Sequence, residues 1–465
     1  MIYGNREGGK SKYYSLYLNI RKEILRGKIK AGQKLPSKRA LAREEGVSVV
    51  TVQLAYEQLL AEGYVRAEER RGYFAEEVIT PQIYARNDGG KGVEKPACNC
   101  ADVAAGDGGD SAEKFRLDLV KGYAPAQWFP FATWAKLMRA VLTDCGEHLL
   151  ERVPCFGDLQ LRKAVCEYLY RTRGVEADPE CVVIGAGAEH LYGIVAQLLG
   201  RGCTVAVENP CYGKIPAAYA LYGVNVLSVN TEKDGIRLEE IEACEAKANA
   251  VHVSPSHQFP TGAVMPAAAR SRLVAFAESC GGYIIEDDYD SEFRLEGRPL
   301  QSLRSLCPER VIYINTFSKS LAPSMRLGYM LLPPALCAEY ARKFGHGANI
   351  VPLFEQKALA AMIEGGYLER HVSRLKNRYR AVRALIRQKL ADCGCECNIF
   401  DTAGGPHMVV EFPQGISDFE IKRKAAESGA RIKCLSDYLI APREGVERRA
   451  VINYSGITEE DVKNF

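Results

Sequence analysis

The stretch that decides the fold reads Val-Ile-Tyr-Ile-Asn-Thr-Phe-Ser-Lys-Ser, residues 311–320. Its first half is a short, continuous run of apolar and β-branched residues, which is typical of a buried strand in a parallel sheet. Its second half places a hydroxyl-bearing turn and Lys319 directly after that strand. Because ligands of open α/β sheets bind outside the carboxyl ends of the strands, the stretch predicts a functional lysine at that edge.

Residues 117–465 alternate similar β-branched runs with amphipathic helical patterns. This alternation predicts an α/β domain with a mainly parallel sheet. The other predicted strands cover residues 181–184, 204–207, 250–253 and 283–285. The segments that follow them read Gly-Ala-Gly-Ala-Glu-His from Gly185, Glu-Asn-Pro-Cys-Tyr from Glu208, Pro-Ser-His-Gln-Phe-Pro-Thr-Gly from Pro255 and Glu-Asp-Asp-Tyr from Glu286.

These segments together supply what one cofactor needs. A partly desolvated lysine at a strand end reacts as a nucleophile with an aldehyde. A nearby carboxylate keeps a pyridine nitrogen protonated, and a glycine-containing turn into a helix offers free amides to a phosphate. Pyridoxal 5'-phosphate relies on a lysine Schiff base and on an acidic partner for its ring nitrogen. The combination therefore predicts that the chain binds pyridoxal 5'-phosphate.

Residues 12–78 predict a DNA-binding unit. Ser37 and Ser48 are placed to cap two helices joined by a short turn that contains Gly46, which is the helix-turn-helix pattern. Two short strands, 64–66 and 72–74, are interpreted as a wing. Residues 1–80 hold 15 Lys/Arg against 10 Asp/Glu, and a basic segment at one end indicates a nucleic-acid partner.

The same region resembles the GntR-type winged helix-turn-helix. The matching strings are Leu-Pro-Ser-x-Arg-x-Leu-Ala, Gly-Val-Ser-x-x-Thr-Val-x-x-Ala-Tyr-x-x-Leu, Glu-Gly-Tyr and Arg-Gly-Tyr-Phe. The second helix is expected in the major groove, and Val49 stands where the family often has a basic residue. Arg70 and Arg71 either contact DNA or form a solvated wing tip. The predicted DNA contacts are Ser37, Lys38, Arg39, Ser48, Val50, Thr51, Gln53, Arg71 and Gly72.

The C-terminal segments resemble fold-type I aminotransferases and, more closely, the MocR subfamily of GntR regulators. The strings are Pro-Ser-His-Gln-Phe-Pro-Thr-Gly, Glu-Asp-Asp-Tyr-Asp-Ser-Glu-Phe-Arg and Thr-Phe-Ser-Lys-Ser-Leu-Ala-Pro-x-x-Arg-x-Gly-Tyr. The resemblance implies that Lys319 forms the Schiff base and that Asp287 pairs with the pyridinium nitrogen. It implies that Tyr289 bonds the ring hydroxyl and that Tyr212 stacks on the ring. The implied phosphate contacts are Ala186, Gly187, Ala188, Thr316, Ser318 and Arg326.

Two positions depart from a working aminotransferase. Phe259 stands where those enzymes usually place an Asn that hydrogen-bonds the ring oxygen, and MocR proteins share the Phe. Val451 stands at the usual position of the arginine that binds the substrate carboxylate. Arg431 is either a replacement carboxylate anchor or an exposed residue at the start of a strand, and Lys214 is a weaker candidate for ligand contact. His407 is expected to support the site.

Composition bounds the remaining possibilities. The Gly/Asp-rich residues 79–116 predict a flexible linker between a DNA-binding domain, 12–78, and an effector domain, 117–465. The 16 cysteines lack the paired spacing of a zinc site, so reduced thiols and no bound metal are expected. No run of about 18 apolar residues and no apolar leader occurs, so we expect a cytoplasmic protein with no membrane partner.

The leading interpretation is a transcription regulator in which a small amine or amino acid displaces Lys319 from pyridoxal 5'-phosphate and alters affinity for operator DNA. Fold-type I domains build their sites at a dimer interface, so the resemblance implies a homodimer. Two alternatives stay open: a catalytically active aminotransferase with a residual DNA-binding domain, and a regulator whose signal is the cofactor itself. Phe259, Val451 and the complete helix-turn-helix favour a regulator over an enzyme.

Overall fold

The computed structural model describes residues 12–68, 71–76, 115–244, 247–297, 300–392, 394, 396–400 and 405–465. Two compact units separate, one within residues 1–111 and the other within residues 112–465. The predicted linker, 79–116, lies outside the described residues except for its last two residues, and Arg70 lies outside them as well.

The N-terminal unit is a three-helix bundle with a two-stranded antiparallel sheet. Its elements are α1 (Lys12–Leu25), α2 (Lys38–Glu45), α3 (Val49–Ala61), β1 (Val65–Glu68) and β2 (Gly72–Ala75). Both predicted caps are confirmed, because Ser37 Oγ accepts from the Ala40 amide at 3.2 Å and Ser48 Oγ from the Thr51 amide at 3.1 Å. The buried apolar residues of the helices and the wing strands form one core.

The C-terminal unit alternates strands and helices along the chain. Its strands are β3 (Leu117–Asp118), β4 (Val182–Gly185), β5 (Thr204–Asn209), β6 (Asn225–Glu232), β7 (Gly235–Ile236), β8 (Ala250–Val253), β9 (Tyr283–Asp287), β10 (Val311–Thr316), β11 (Gly328–Leu331), β12 (Asn398–Phe400), β13 (His407–Glu411), β14 (Ala430–Arg431), β15 (Lys433–Cys434) and β16 (Arg449–Asn453). Its helices are α4 (Phe131–Cys145), α5 (Leu159–Arg173), α6 (Ala188–Leu199), α7 (Lys214–Leu221), α8 (Leu238–Glu242), α9 (Ala267–Cys280), α10 (Leu303–Leu306), α11 (Pro334–Phe344), α12 (Leu353–Glu364), α13 (Tyr367–Asp392), α14 (Asp418–Glu427) and α15 (Glu459–Lys463).

An eight-stranded sheet in the order β4-β11-β10-β9-β8-β5-β6-β7 organises this unit. The pairs β10–β9, β9–β8, β8–β5 and β5–β6 are parallel, whereas β11 runs antiparallel to both β10 and β4. The predicted mainly parallel sheet is therefore confirmed, and each of the five predicted strands lies within two residues of an observed one. Their carboxyl ends meet at a single edge of the sheet.

Continuous apolar runs arise because the central strands are covered on both faces. On β5, Val205 and Val207 pack into a cluster with α6, while the intervening Ala206 packs into a second cluster with Leu273 of α9. Alternate residues thus enter different cores, which removes the polar alternation of a one-sided sheet. Within the part of the chain that the structure describes, no helix is long and apolar enough to cross a membrane.

A smaller antiparallel sheet, in the order β12-β13-β16-β15, lies in the C-terminal part of this unit. Beside it, β3 pairs in parallel with β14, and the amide of Arg116 donates to the carbonyl of Gly429 at 2.8 Å. The segment that follows β3 is bound to β16, because the amide of Asn453 donates to the carbonyl of Leu119 at 2.9 Å. These bonds bring residues 119–122 to the edge where Lys319 lies.

Candidate functional site

Lys319 lies in the turn that follows β10, on the third residue after the strand ends at Thr316. Its side chain is half-buried, and Nζ donates to the carbonyl oxygen of Gly122 at 2.5 Å. Burial lowers the pKa of Lys319, and the charges of Asp290 and Asp287 oppose that effect. A lysine with a lowered pKa is unprotonated more of the time, which is the form that attacks an aldehyde.

Asp287 is the last residue of β9, the parallel neighbour of β10, and is 6% exposed. Its Oδ2 accepts from the hydroxyl of Tyr192 at 2.5 Å, and Nε2 of His252 lies 3.6 Å from the same oxygen. Burial raises the pKa of Tyr192 well above its ordinary value, and Asp287 adds to the effect, so the tyrosine stays a donor. No hydrogen bond among the described residues uses Oδ1 of Asp287, so that oxygen is open to a cationic N–H.

Aromatic rings line the space between the strand ends. The ring centre of Phe259 lies 6.3 Å from that of Tyr212 and 6.4 Å from that of Tyr289, both edge to face. Nζ of Lys319 lies 5.9 Å from the ring centre of Tyr289. The three rings and the lysine therefore border one region, which suits a flat aromatic ligand joined to a lysine.

His257, Asp290 and His407 form a buried cluster next to Tyr289. Nδ1 of His257 is 2.7 Å from Oδ2 of Asp290 and 3.4 Å from the hydroxyl of Tyr289. The ring of His407 lies 4.1 Å from that of His257, and burial holds the pKa of His407 well below its ordinary value, with His257 and Lys319 contributing. Donor atoms of the two histidines and Asp290 lie within 4.8 Å of one another, as a metal site requires. Because His257 and Asp290 already bond each other and face Tyr289, we interpret the cluster as its support.

The start of α6 forms a cradle for an anion. Gly187 caps the helix with a φ of 82°, and the guanidinium of Arg326 donates to the carbonyl of Ala186 at 2.9 Å. A Cβ on Gly187 would lie 2.9 Å from the central carbon of that guanidinium. Glycine at this φ therefore allows Arg326 to approach the start of α6, whose first amides have no partner within the helix, and the arrangement suits a phosphate group. The predicted contact of the Ala186 amide is not available, because that amide donates to Nδ1 of His190 at 3.1 Å.

Glu189, in the first turn of α6, binds both cations at this end of the site. Its Oε2 lies 2.7 Å from Arg326 and its Oε1 lies 2.8 Å from Nζ of Lys214. Burial alone would raise the pKa of Glu189, but hydrogen bonds from Lys214 and Arg326 outweigh it and lower the pKa. An ionised carboxylate is thus placed beside the anion cradle, where it competes with any phosphate for Arg326.

The remaining predicted site residues lie in different surroundings. Thr316 is buried at the end of β10, and Ser318 precedes Lys319 in the turn. Arg431 is exposed on β14 with Asp118 at 3.6 Å, and no contact among the described residues joins it to Lys319. Val451 is 2% exposed and packs with Val409, Leu435 and Val446.

On the DNA-binding unit, the N-terminal turn of α3 presents an exposed face. Val50 is 65% exposed, and the hydroxyls of Ser48 and Thr51 lie 2.8 Å apart. The side chain of Gln53 donates to Glu57 at 2.9 Å, one turn further along. A helix whose first turn carries exposed hydroxyl, amide and methyl groups has the donors, acceptors and apolar contacts that base edges require.

The wing and the start of α2 carry the cations predicted to contact DNA. Arg71 lies 2.5 Å from Glu68 and above the ring of Phe74, at 5.5 Å. Nζ of Lys38 lies 5.6 Å from the ring centre of Tyr73, and Arg39 beside it is exposed. At the wing turn Gly72 has a φ of 110°. Lys38 and Arg71 therefore both contact aromatic rings of the wing strands.

No role was predicted from sequence for Gly122, Glu189, Tyr192, His252, His257 and Asp290. Glu189 and Tyr192 stand in or next to the quoted Gly-Ala-Gly-Ala-Glu-His string, yet their side-chain partners are 25 or more residues away. Gly122 meets Lys319 across a separation of 197 residues. Among the first four of these residues, only His252 carried a sequence signal of a functional role, because it is a polar residue inside an otherwise apolar strand.

Two family models match the chain. The model "Aminotransferase class I and II" matches residues 129–423, and "Bacterial regulatory proteins, gntR family" matches residues 12–74. The first model covers the sheet and the Lys319 turn, and the second covers α1 to β2. The order of the two matched regions agrees with the predicted arrangement of a winged helix-turn-helix followed by a fold-type I domain.

Relatives and solved structures extend this result. The probable rhizopine catabolism regulatory protein MocR of Rhizobium meliloti is 31% identical, covering 100% of this chain and 94% of that protein. The HTH-type pyridoxine biosynthesis transcriptional regulator PdxR of Corynebacterium glutamicum is 30% identical, covering 90% and 87%. The structure of LysN, alpha-aminoadipate aminotransferase of Thermus thermophilus, complexed with N-(5'-phosphopyridoxyl)-L-leucine, has a TM-score of 0.63 at 25% identity and covers 76% of this chain and 90% of that one.

Proposed function

The chain belongs to the MocR subfamily of GntR-type transcription regulators, whose aminotransferase-like domain binds pyridoxal 5'-phosphate, and we propose that it senses a small primary amine with this cofactor and changes its affinity for operator DNA in response. One observation carries the proposal. Lys319, half-buried and with its pKa lowered by burial, follows β10, and the buried carboxylate of Asp287 ends the parallel neighbour β9, in a chain that also holds a helix-turn-helix with an exposed recognition helix.

The residues at the sheet edge fit the cofactor group by group. When bound, pyridoxal 5'-phosphate supplies an aldehyde that condenses with a primary amine. Lys319 would hold that aldehyde carbon, and Oδ1 of Asp287 would keep a proton on the ring nitrogen. Tyr212 would cover one face of the ring and Tyr289 would stand beside its hydroxyl. Arg326 and the first amides of α6 would hold the phosphate.

The same site favours sensing over efficient turnover. Phe259 places a ring without hydrogen-bonding atoms beside Tyr289, and Val451 is buried among other apolar residues where it offers no charge to a carboxylate. An amine that binds the cofactor there exchanges with Lys319 and stays bound. The exchange shifts the regulator between two states only to the extent that the amine binds them with different affinity.

The proposal is tested by titrating the cofactor-loaded chain with a panel of primary amines and amino acids while its visible absorbance is recorded. We expect a subset of amines to change the absorbance at micromolar to millimolar concentration. Lys319→Ala should lack the band that a covalent bond to the lysine produces. Survival of that band in Lys319→Ala, or a chain that no amine affects, would refute amine sensing at this site.

An aminotransferase half-reaction is the second candidate, because Lys319 and Asp287 are the two groups that such chemistry needs. Single-turnover measurements with each amine of the panel separate the candidates. Steady production of an oxo acid over many turnovers would make the chain an enzyme. Binding without steady turnover is the result expected of a sensor.

A third candidate is that the cofactor itself is the signal. Two observations support this candidate. The relative from Corynebacterium glutamicum is named a pyridoxine biosynthesis regulator, and two cations lie beside the anion cradle at Gly187. In this case DNA affinity responds to pyridoxal 5'-phosphate alone, and no amine changes it further. Amine sensing instead predicts a second change when the amine is added to the loaded chain.

We also propose that the functional form is a homodimer that binds a repeated operator site and works inside the cell. Two winged helices in one symmetric dimer contact two half-sites. Sedimentation of the loaded chain measures the mass of the free assembly, and footprinting of the bound DNA measures the number and spacing of half-sites. A monomer that protects one half-site would overturn this part of the proposal.

A further inference from the structure

The bond between Lys319 and Gly122 joins two parts of the C-terminal unit that are far apart in sequence. Lys319 follows β10 of the large sheet, whereas Gly122 lies four residues after β3. Nζ of Lys319 donates to the Gly122 carbonyl at 2.5 Å. Burial lowers the pKa of Lys319, and the charge of Asp290 is the largest of the effects that oppose this and favour the ammonium form. A hydrogen bond from a charged donor is roughly twice as strong as one between neutral groups.

The segment that ends at Gly122 is otherwise held by β14 and its preceding residue Gly429, and by β16 of the small sheet. The amides of Arg116 and Leu117 donate to the carbonyl of Gly429, and the amide of Leu119 donates to Arg431. The side chain of Asp118 accepts from the amides of Val120 and Lys121 at 3.0 and 3.3 Å. The strand pairing of β3 with β14 and the bond from Asn453 complete the attachment. Gly122 is therefore the point at which this segment meets the lysine.

The bond between Lys319 and Gly122 matters because of where residues 116–122 lie in the chain. Residues 116–122 follow directly on the part of the chain that connects the C-terminal unit with the DNA-binding unit. A force or a change of mobility in this segment therefore acts on the end of that connection.

We propose that the carbonyl of Gly122 accepts a hydrogen bond from Lys319 after an amine has displaced the lysine from the cofactor. This hydrogen bond then fixes residues 116–122 as the first step of the response. The inference rests on the proposed amine sensing. In the exchange, one carbon–nitrogen bond forms to the amine and one breaks at Lys319, and Lys319 takes up the hydrogens that the amine nitrogen loses. No oxidation or reduction occurs, and a proton from solvent completes the ammonium that Gly122 binds.

Space at Gly122 supports this role. A Cβ on residue 122 would lie 2.8 Å from Nζ of Lys319 and 3.1 Å from Nδ2 of Asn453. The backbone of Gly122 lies outside the left-handed region, so its φ does not require glycine there. The ends of the Lys319 and Asn453 side chains therefore limit the space at this position, and in Gly122→Ala we expect Nζ of Lys319 to be displaced from the carbonyl.

The test compares two chemically fixed states of the full, cofactor-loaded chain. Borohydride reduces the carbon–nitrogen double bond and locks Lys319 onto the cofactor. Aminooxyacetate replaces the lysine and releases it. Hydrogen exchange is then measured by mass spectrometry for residues 116–122. We expect about three- to tenfold slower exchange in the released state, the range that one charged hydrogen bond supplies at a partly exposed site.

Gly122→Ala should form both adducts and show less than a twofold difference in exchange. Gly213→Ala is the matched control, because it adds a methyl group with no atom within 4 Å at an ordinary φ of −56° and should keep the wild-type difference. Lys319→Met, without cofactor, gives a reading independent of the glycine. It should exchange as fast in residues 116–122 as the reduced wild type.

The outcomes separate this inference from the proposed function. Failure of both reagents to form adducts overturns the cofactor site and the inference together. Adducts with equal exchange in the two wild-type states overturn only the role of Gly122. A full difference that persists in Gly122→Ala, or slow exchange in Lys319→Met, overturns it as well.

Discussion

Replacement of Glu189 by glutamine should tighten cofactor binding. Glu189 holds Arg326 at 2.7 Å and Lys214 at 2.8 Å beside the Gly187 cradle, so its carboxylate competes with the incoming phosphate for both cations. All three side chains are between 39% and 47% exposed, and an ion pair of that exposure contributes about 0.2–1 kcal/mol. Loss of two such competing pairs amounts to about 1 kcal/mol, or about fivefold in Kd.

The assay is a titration of the cofactor-free chain with pyridoxal 5'-phosphate and, separately, with pyridoxal, which lacks the phosphate. Glu189→Gln should lower the Kd of the first ligand about fivefold and leave that of the second unchanged. Higher ionic strength should shrink the difference, because exposed pairs are screened. Weaker binding of pyridoxal 5'-phosphate by Glu189→Gln would show instead that the carboxylate positions Arg326 and does not compete for it.

Three further predictions address the DNA-binding unit and the sheet. Arg39→Ala should weaken binding to all DNA sequences and lower the slope of log K against log salt by about one, whereas Gln53→Ala should relax the preference at one base pair. Both effects are measured from affinities for several DNA sequences at several salt concentrations. A sequence-specific effect of Arg39→Ala would contradict the proposed phosphate contact. Ser48→Ala should destabilise the N-terminal unit by about 1 kcal/mol, seen as a lower unfolding midpoint, because the cap of α3 is lost; an unchanged midpoint would argue against the cap. Burial raises the pKa of Glu208 from 4.5 to about 8, so its neutral form is favoured in the fold and that stabilisation is lost as the pH rises through about 8. Glu208→Gln should therefore gain unfolding temperature relative to the wild type between pH 5 and pH 8, and a gap that narrows over this range would contradict the burial.

The parts of the fold predicted from sequence are those in which one local signal suffices. Both helix caps and five strands of the large sheet, β4, β5, β8, β9 and β10, were predicted because serine caps and continuous apolar runs are local patterns. Strand β11 was missed because its four residues carry too little pattern, and its antiparallel direction depends on pairing with both β10 and β4. Strand β6 was missed because its partly exposed residues do not form a continuous apolar run.

The site divides in the same way. Lys319 and Asp287 follow strands of one parallel sheet, so topology alone places them at a common edge. The partners that tune them come from elsewhere: Tyr192 from α6 bonds Asp287, and Gly122 receives the lysine from a segment near the small sheet. No local sequence pattern predicts a contact between residues 95 or 197 positions apart, so these partners are identified only from the packed structure.

We expect Lys319 to couple amine binding to DNA binding. The most direct measurement selects an operator from random duplexes with the cofactor-loaded chain and then determines its Kd with and without an amine that changes the absorbance. We expect the amine to change the Kd about tenfold in the wild type, equal to about 1.4 kcal/mol of coupling, and to leave it unchanged in Lys319→Ala. An unchanged Kd at saturating amine, or an equal response in Lys319→Ala, would contradict it.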